Sequence, residues 1–457
     1  MRPESRNSIL QTDPELFSPF LKIDLTGRRA IVAAISGGSD STALLLLAQA
    51  WLDATAPAAK LVAVTIDHQL RPESVTEARQ VGRLCAERGI AHRVVQWDSK
   101  KPESGLSAAA RLARYQLLAE AARAAGADIV LTGHTLDDQT ETVSMRGVRG
   151  EGRGLAAMAP ATLFDGSIWI VRPLLGLRRE TLRDFLRRNG TAWTEDPTNT
   201  DFHYERARVR ACLAVDDAAS PSQSAIANAQ RRRVKLGEEA SAILGSEAAR
   251  VSPGLIRLTP EFAKANPAEA AIYALRTLLA VTGGREHLPD EERSAGLFRR
   301  LKSAPFRATL SRSVVDARTS GIFIRRELRG LPQPETPYDG MVWDGRFRMK
   351  CAGNAAGLKL APLTVENARK MMVAQPGVPQ SLVRAALAAE PALWSGETFL
   401  GPAADPGAGD LGLRAVPIAA PWARFLPSFD LAVARALSEL LGCESVPDLP
   451  FRSHNEG

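Results

Sequence analysis

Residues 30 to about 175 predict a doubly wound α/β fold with a parallel five-stranded sheet, and three observations carry that reading. Short apolar, β-branched runs alternate with longer helical patterns, helices stop at glycine, and a glycine–serine turn joins the first strand to the first helix. Ala30 to Ala34 is the first strand, and the stretch from Ile35 through Leu44 is a loop running into a helix that ends near Leu52. Lys60 to Ile66 is a β-branched run, Glu73 to Arg88 is helical and stops at Gly89, and His92 to Trp97 is extended again. Leu106 to Ala125 is an alanine-rich helix ending at Gly126. Ile129 to Thr132 is the next strand, Asp137 to about Met145 the next helix, and Ile168 to Val171 the last strand. Such sheets bind ligands at the carboxyl ends of their strands, where Ser36, Asp67, Gly133 and His134 fall.

Beyond Arg178 the pattern predicts a helix over Arg179 to Arg188, ended by Asn189-Gly190, then a polar loop from Glu195 to Tyr204 and a basic stretch through Arg210. Asp216 to Ser224, rich in Ala, Ser and Asp, reads as a linker. A helix carrying Arg231, Arg232, Arg233 and Lys235 runs to about Gly245, another covers Pro267 to Val281, and a hairpin-like region follows at Ala308 to Arg326. Three prolines between Gly330 and Tyr338 set off a last region whose Val342 to Lys350 and Ala415 to Ala420 segments are extended. The expected division is therefore a catalytic domain over 1–215, a helical middle domain with a short hairpin over 216–330, and a small α+β C-terminal domain over 331–457.

Composition excludes several classes. Lys and Arg number 58 against 51 acids, a net +7 that suits an RNA partner without requiring one. Cys85, Cys212, Cys351 and Cys443 are far apart and form no Cys-x-x-Cys, so spacing suggests neither zinc nor an iron–sulfur cluster, and a reducing compartment is the simpler expectation. The first residues hold Glu4, Asp13 and Glu15 and no basic-then-apolar signal, and no apolar run approaches the roughly 18 residues of a membrane span. A cytoplasmic protein is expected.

The segment Ile35-Ser-Gly-Gly-Ser-Asp-Ser-Thr42 is a place to hold phosphate. Gly37 and Gly38 let the backbone turn and approach an anion, Ser36, Ser39 and Ser41 add hydroxyls, and a helix N-terminus presents free N–H groups. No Gly-Lys-[Ser/Thr] is present to reach β- and γ-phosphates. Asp40 and Ser41 stand there instead, which suits a magnesium-bound pyrophosphate and cleavage between the α- and β-phosphates. A plain strand-to-helix turn with Asp40 as a cap is the bland alternative.

Further along, Thr132-Gly-His-Thr-Leu-Asp-Asp-Gln-Thr-Glu141 puts His134 and two adjacent acids after a strand, with Glu141 one helical turn beyond Asp137. Asp137 and Asp138 could simply cap the helix, but they share the strand-end face with the phosphate loop, where acids would bind Mg²⁺ or an ammonium group. Arg111 and Arg114 lie three apart on one helix face and could neutralise a leaving pyrophosphate, against the alternative of a solvated basic face. Asp67-His68 ends the second strand, where backbone groups commonly meet adenine or ribose.

The loop Ser36 to Ser41 resembles that of the N-type ATP pyrophosphatases. With it come Asp67-His-Gln-Leu-Arg-Pro-Glu-Ser74, Ala110-Arg-x-x-Arg-Tyr115, Thr132-Gly-His-x-x-Asp-Asp-Gln-x-Glu-Thr142 and Arg149-Gly150. Arg172-Pro-Leu-Leu175, Trp193-x-Glu-Asp-Pro-Thr-Asn199 and Tyr204-x-Arg206-x-Arg208-x-Arg210 complete the series. In this order, over about residues 30 to 212, they resemble the tRNA(Ile)-lysidine synthetases. The resemblance implies ATP-dependent attachment of free L-lysine to C2 of the wobble cytidine of a CAU-anticodon tRNA(Ile), through an adenylated base. It implies ATP and Mg²⁺ at Ser36, Gly37, Gly38, Ser39, Asp40, Ser41, Asp67 and Gly133, with Asp40 and Asp138 on the metal. Asp40, His134, Asp137, Asp138, Arg111 and Arg114 are the expected catalytic set. Asp137, Glu141, Arg206, Arg208 and Arg210 are expected to meet lysine or tRNA, with appended domains on the tRNA body and a homodimer as the expected assembly.

Between Arg146 and Arg210 there are twelve arginines, no lysine and eight acids, a net +4 that suits an RNA backbone. A solvated helix face is the alternative for Arg179, Arg183, Arg187 and Arg188, whereas Arg206, Arg208 and Arg210 alternate. Three rival readings compete with this one. A tRNA base thiolase of the same superfamily would ordinarily want reactive cysteines, and neither Cys85 nor Cys212 has a partner. A non-catalytic RNA-binding homologue would not need acids that repel phosphates. An amidotransferase-coupled synthetase would need a nucleophilic cysteine at the N-terminus, and none stands there.

Overall fold

The structure, a computed structural model, describes residues 13–69, 74–147, 153–195, 205–215, 222–303, 305–353, 355, 357–405 and 412–452. The chain forms two units, Met1–Arg231 with Pro447–Gly457, and Arg232–Val446. Most of the linker expected at Asp216 to Ser224 lies outside the described residues.

In the first unit, helix α1 (Pro14–Leu21) precedes an alternating series: β1 (Ala30–Ala34), α2 (Ser39–Thr55), β2 (Lys60–Asp67), α3 (Ser74–Glu87), β3 (Ala91–Gln96), α4 (Leu106–Ala124), β4 (Ile129–Leu131) and α5 (Leu136–Gly147). Strands β5 (Ala161–Phe164) and β6 (Ile168–Val171), then helices α6 (Arg179–Arg188), α7 (Glu205–Val215) and α8 (Gln223–Glu247), follow, with the unit boundary inside α8. The five expected strands are parallel neighbours in the order β6-β4-β1-β2-β3. Every residue of β1 and β4 is buried, as strands covered on both faces require, and β3 at the edge has no buried residue. The order reverses between β1 and β4, so the carboxyl ends of those two strands flank the crevice where doubly wound sheets bind ligands.

One strand escaped the sequence reading. β5 pairs antiparallel with β6 across a turn in which Asp165 and Gly166 both take positive φ, at 50° and 69°. The Asp-Gly pair was its signal, and four residues gave too little alternation to notice. The sheet is backed by a tight apolar cluster of Ala33, Ile35, Leu45, Ala63, Val81, Cys85 and Ile90.

In the second unit, strands β7 (Ala248–Ser252) and β8 (Leu255–Leu258), helices α9 (Ala268–Gly283) and α10 (Glu291–Arg300), and strands β9 (Phe306–Leu310), β10 (Ser313–Arg318) and β11 (Gly321–Arg326) come first. The region expected as a hairpin is β9 to β11, and β7 and β8 extend it to an antiparallel sheet ordered β7-β8-β11-β10-β9. The short turn Ser252-Pro-Gly254 and the arginines at 250 and 257 hid β7 and β8 from a hydropathy reading. Farther on, β12 (Val342–Trp343) and β13 (Phe347–Cys351) precede β14 (Leu358–Pro362), helices α11 (Val365–Met371) and α12 (Gln380–Leu387), and β15 (Pro391–Ser395). After β16 (Thr398–Pro402) and β17 (Leu413–Pro417), helix α13 (Leu431–Leu441) closes the unit. They make two three-stranded sheets, β12-β13-β17 and β14-β15-β16, around Trp343, Met349, Leu360 and Leu393. The fully buried Asp344 carboxylate accepts from Arg326 Nε at 3.0 Å and Arg346 Nε at 2.8 Å, and Arg312 also pairs with it. A buried charge left unpaired would cost several kcal/mol, which is why the site is saturated with donors.

Leu45 is fully buried within the apolar cluster behind β1. Leu45→Ala is expected to destabilise the first unit by about 2–5 kcal/mol, read as a lowered midpoint in urea denaturation followed by tryptophan fluorescence.

Candidate active site

Two loops at the carboxyl ends of β1 and β4 build the site. After β1, Gly37 takes φ +90°, a conformation that side-chain-bearing residues avoid, and Gly38 precedes helix α2 in an extended conformation. Ser41 folds back on the turn: its Oγ accepts from the Ser36 N–H at 3.1 Å and donates to Gly38 O at 3.0 Å. Ser36 Oγ lies 3.2 Å from the same hydroxyl, and the Thr194 N–H donates to Gly37 O at 2.9 Å. With these carbonyls satisfied inside the protein, the first N–H groups of α2, which have no intrahelical acceptor, remain for an anion.

After β4, Gly133 packs directly on the start of α2. A Cβ there would fall 2.9 Å from the backbone C and O of Asp40 and 3.0 Å from Ser41 N, so only glycine allows this approach. His134 Nδ1 meets Thr132 Oγ1 at 3.0 Å. Burial first, and then Arg172, Arg114 and Arg111, hold the imidazole well below its ordinary value, so His134 is neutral at neutral pH. Asp67, buried at the end of β2, accepts the Gln69 N–H at 2.8 Å, while His68 sets its ring edge-on to Trp97.

The acids both cap helices and face one another. Asp138 Oδ2 accepts from the Thr135 N–H at 2.8 Å and the Thr135 hydroxyl at 3.1 Å, so it caps α5, and Asp137 Oδ2 accepts the Arg179 N–H at 2.8 Å at the start of α6. The remaining oxygens meet arginines. Arg179 reaches Asp40 Oδ2 through Nε at 3.0 Å, Asp138 Oδ1 through Nη2 at 3.2 Å and Glu141 Oε1 through Nη1 at 3.6 Å. Arg206 reaches Asp138 at 2.9 Å and Glu141 at 2.6 Å, and Arg210 Nε reaches Glu141 at 2.8 Å. Burial raises the Asp40 carboxyl above the ordinary range against the pull of Arg179. Burial works the same way on Glu141, but Arg210 and Arg206 outweigh it and hold that carboxyl low.

These arginines lie on two helices. Arg206, Arg208 and Arg210, set apart in the sequence only by their alternation, lie on helix α7, where 206 and 210 are one turn apart and share the face toward Glu141. Arg208 is exposed on that helix. Arg179, read as part of a solvated helix face or an RNA contact, points into the acids instead, while Arg183 and Arg187 bond Glu195 and Glu180 nearer the surface. The parts of the resemblance at Leu70 to Glu73, Arg149-Gly150, Asp196 to Asn199 and Tyr204 lie outside the described residues.

A basic cluster that the sequence reading only partly found stands beside His134. Arg111 lies over the Tyr115 ring at 5.3 Å, and Arg172, buried, hydrogen-bonds the Tyr115 phenol and donates to Ala159 O and Thr162 Oγ1, each at 2.9 Å. Burial works to raise the Tyr115 phenol, but Arg172, Arg111 and Arg114 outweigh it and bring it down to about 8. The signal for Arg172 was its place directly after β6, at a carboxyl end like the others. Among the described residues no group of three or more His, Cys, Asp or Glu forms a metal cluster. Burial pushes the Cys85 thiol up to about 11 and the Cys443 thiol up to about 12, opposite to what a reactive cysteine needs.

The PP-loop domain model matches residues 10–215. A tRNA(Ile)-lysidine synthase from Mesorhizobium japonicum is 51% identical over 457 residues, covering 98% of this chain and 100% of that protein. Another from Brucella melitensis biotype 2 is 41% identical over 364 residues, 76% of this chain and 79% of that one. Among solved structures, the U34-tRNA thiolase NcsA from Methanococcus maripaludis aligns with a TM-score of 0.40 at 17% identity, over 50% of this chain and 78% of that one.

Tyr115 is expected to ionise at about 8, read as phenolate absorbance that disappears in Tyr115→Phe, and to move back toward about 10 in Arg172→Gln. The folded-state value lies below the unfolded one, so the phenolate adds stability that is complete above about 10 and is lost as pH falls through about 8. An unchanged midpoint in Arg172→Gln would remove Arg172 as the cause.

Proposed function

The chain belongs to the tRNA(Ile)-lysidine synthase family, and from that membership we propose that it joins the ε-amine of free lysine to C2 of the wobble cytidine of a CAU-anticodon isoleucine tRNA, using ATP. In this reaction O2 of the cytidine attacks the α-phosphorus of ATP and pyrophosphate leaves. The lysine amine then attacks C2, AMP departs with O2, and the amine gives up its proton to leave lysidine.

The observation that carries this reading is the meeting of a phosphate loop and an acid cluster on one arginine, at the point where strand order reverses. Ser36 to Ser41 are proposed to cradle the triphosphate, with Gly133 completing the cradle by letting the loop after β4 pack directly on the start of α2. Asp67 is proposed to face the nucleoside. Mg²⁺ demands hard oxygen ligands and usually enters with the nucleotide on one or two carboxylates; Asp40, with Asp138 as its neighbour, would hold it, and it would supply charge neutralisation on the phosphates. Arg111 and Arg114 are proposed to stabilise the negative charge that grows on the departing pyrophosphate. Asp137 and Glu141, on helix α5, are proposed to receive the lysine ammonium. His134 is proposed to contact the phosphates or to assist the transfer of the proton that the attacking amine loses.

Arg206 and Arg210 reach Glu141, so we assign them to the lysine subsite and leave the exposed Arg208 to the tRNA backbone. The middle and C-terminal regions, divided near residue 330, are proposed to grip the tRNA body. We place the protein in the cytoplasm with its tRNA substrate, and no described helix is long and apolar enough to cross a membrane.

Incubation with ATP, Mg²⁺, labelled lysine and unmodified CAU-anticodon tRNA(Ile), followed by mass analysis of the anticodon nucleosides, is expected to place lysine on the wobble cytidine. Pyrophosphate release without lysine transfer would overturn the choice of nucleophile, and no release would overturn the enzyme assignment. Asp40→Ala and Asp137→Ala are expected to abolish turnover with the fold intact by circular dichroism. Gly133→Ala should do the same by pushing the second loop off α2. Arg208→Ala is expected to weaken tRNA binding and reduce its salt slope by about one.

A further inference from the structure

Arg179 has no part in the reaction as laid out above, yet it makes more contacts with the site acids than any residue assigned to it. It opens helix α6 and its side chain is only 18% exposed. Its guanidinium spans three carboxylates: Asp40 at 3.0 Å, Asp138 at 3.2 Å and Glu141 at 3.6 Å. Its own N–H is held by a fourth, Asp137, at 2.8 Å, so the backbone that launches the fork is fixed by the same helix the fork grips. Asp40 sits in the first turn of helix α2, directly after the loop that follows β1, and the other acids sit on helix α5. Arg206 and Arg210 pair with Asp138 and Glu141, and among the described residues Arg179 is the one cation paired with Asp40. Hence one planar group joins the two halves of the site.

We propose that Arg179 is a positioning residue for the ligation, a fork that fixes the distance between Asp40 on the ATP loop and Asp138 and Glu141 at the lysine subsite. The proposal rests on the reading of those two subsites given above. The adenylated base must form at one subsite and be attacked from the other, and transfer between held groups is steeply sensitive to displacements of about 1 Å. Guanidinium serves because its donors lie in one plane at fixed angles and meet three acceptors at once. Lysine's ammonium is a single point on a flexible stem and would satisfy fewer acceptors with no fixed angle between them. The control is on the same helix: Arg187 is about half exposed and bonds Glu180 and Asp184, away from the site.

The test compares wild type, Arg179→Gln, Arg179→Lys and Arg187→Gln as full-length proteins. It measures lysidine formation at varied lysine, lysine-independent adenylation of the tRNA, tRNA binding by filter retention, and melting temperature. Arg179→Gln and Arg179→Lys are expected to lower kcat for lysine transfer by about a hundred-fold at saturating lysine and ATP, with tRNA Kd within three-fold of wild type. Arg187→Gln is expected to behave as wild type. The Arg179→Lys result separates position from charge and decides the matter alone if Arg179→Gln does not fold. A kcat for Arg179→Lys within three-fold of wild type overturns the proposal, as does a loss of activity matched by an equal loss of tRNA binding. Failure of the wild-type protein to transfer lysine is a different result: it overturns the functional reading itself.

Discussion

Three carboxylates packed within reach of one guanidinium set the terms for the first unit. Asp40, Asp138 and Glu141 are mostly or wholly withdrawn from water, and like charges brought together there raise one another's cost of ionisation. Leaving one member of a buried pair alone typically costs about 3–5 kcal/mol. The chain meets that demand with three cations from two helices, Arg179 at the start of α6 and Arg206 and Arg210 one turn apart on α7. Helix positions follow from this. The first turn of α6 must lie against Asp137, and α7 must present the 206/210 face to α5, because only that register lets both arginines reach Glu141.

Beside this neutralised centre lies a cluster of opposite character. Arg111, Arg114 and Arg172 surround His134 and Tyr115, and no ion pair between these arginines and a carboxylate is present among the described residues. The excess positive field drives the phenol of Tyr115 down against burial, and it adds to burial, the larger cause, in keeping the imidazole of His134 uncharged. A pocket already carrying that field needs little rearrangement when a polyanion arrives, which is how fixed dipoles and charges serve transfer of phosphoryl and nucleotidyl groups.

Much of this was legible in the sequence, for identifiable reasons. Three of the five parallel strands, β1, β4 and β6, are short and wholly apolar, so they stood out from the helices between them. The glycine loop and the Asp137 to Glu141 segment declared themselves because they fall at strand ends. What stayed hidden depended on depth or on register. Period alone marks Arg179 as one of four arginines on α6, and nothing in that spacing says that the first of them faces inward at the mouth of the crevice. The every-second-residue spacing of Arg206, Arg208 and Arg210 suits a strand, and only the helix makes neighbours of 206 and 210 and turns 208 outward. Strands β5, β7 and β8 were missed because four or five residues with arginine or threonine among them carry almost no periodic signal.

The last described residues return to the first unit. Asp24 N–H donates to Pro450 O, Arg452 N–H donates to Lys22 O, and Ile23 and Phe451 form an isolated bridge beside the segment that leads into β1. During synthesis, domains usually fold as they emerge from the ribosome, N-terminal first. Here the segment that closes the first unit is translated after the whole of the second. The nascent chain therefore holds a nearly complete nucleotide-binding sheet whose entry strap stays unlatched until residues 450 to 452 have emerged from the ribosome, and a ribosome stalled anywhere upstream of them carries an unsealed unit.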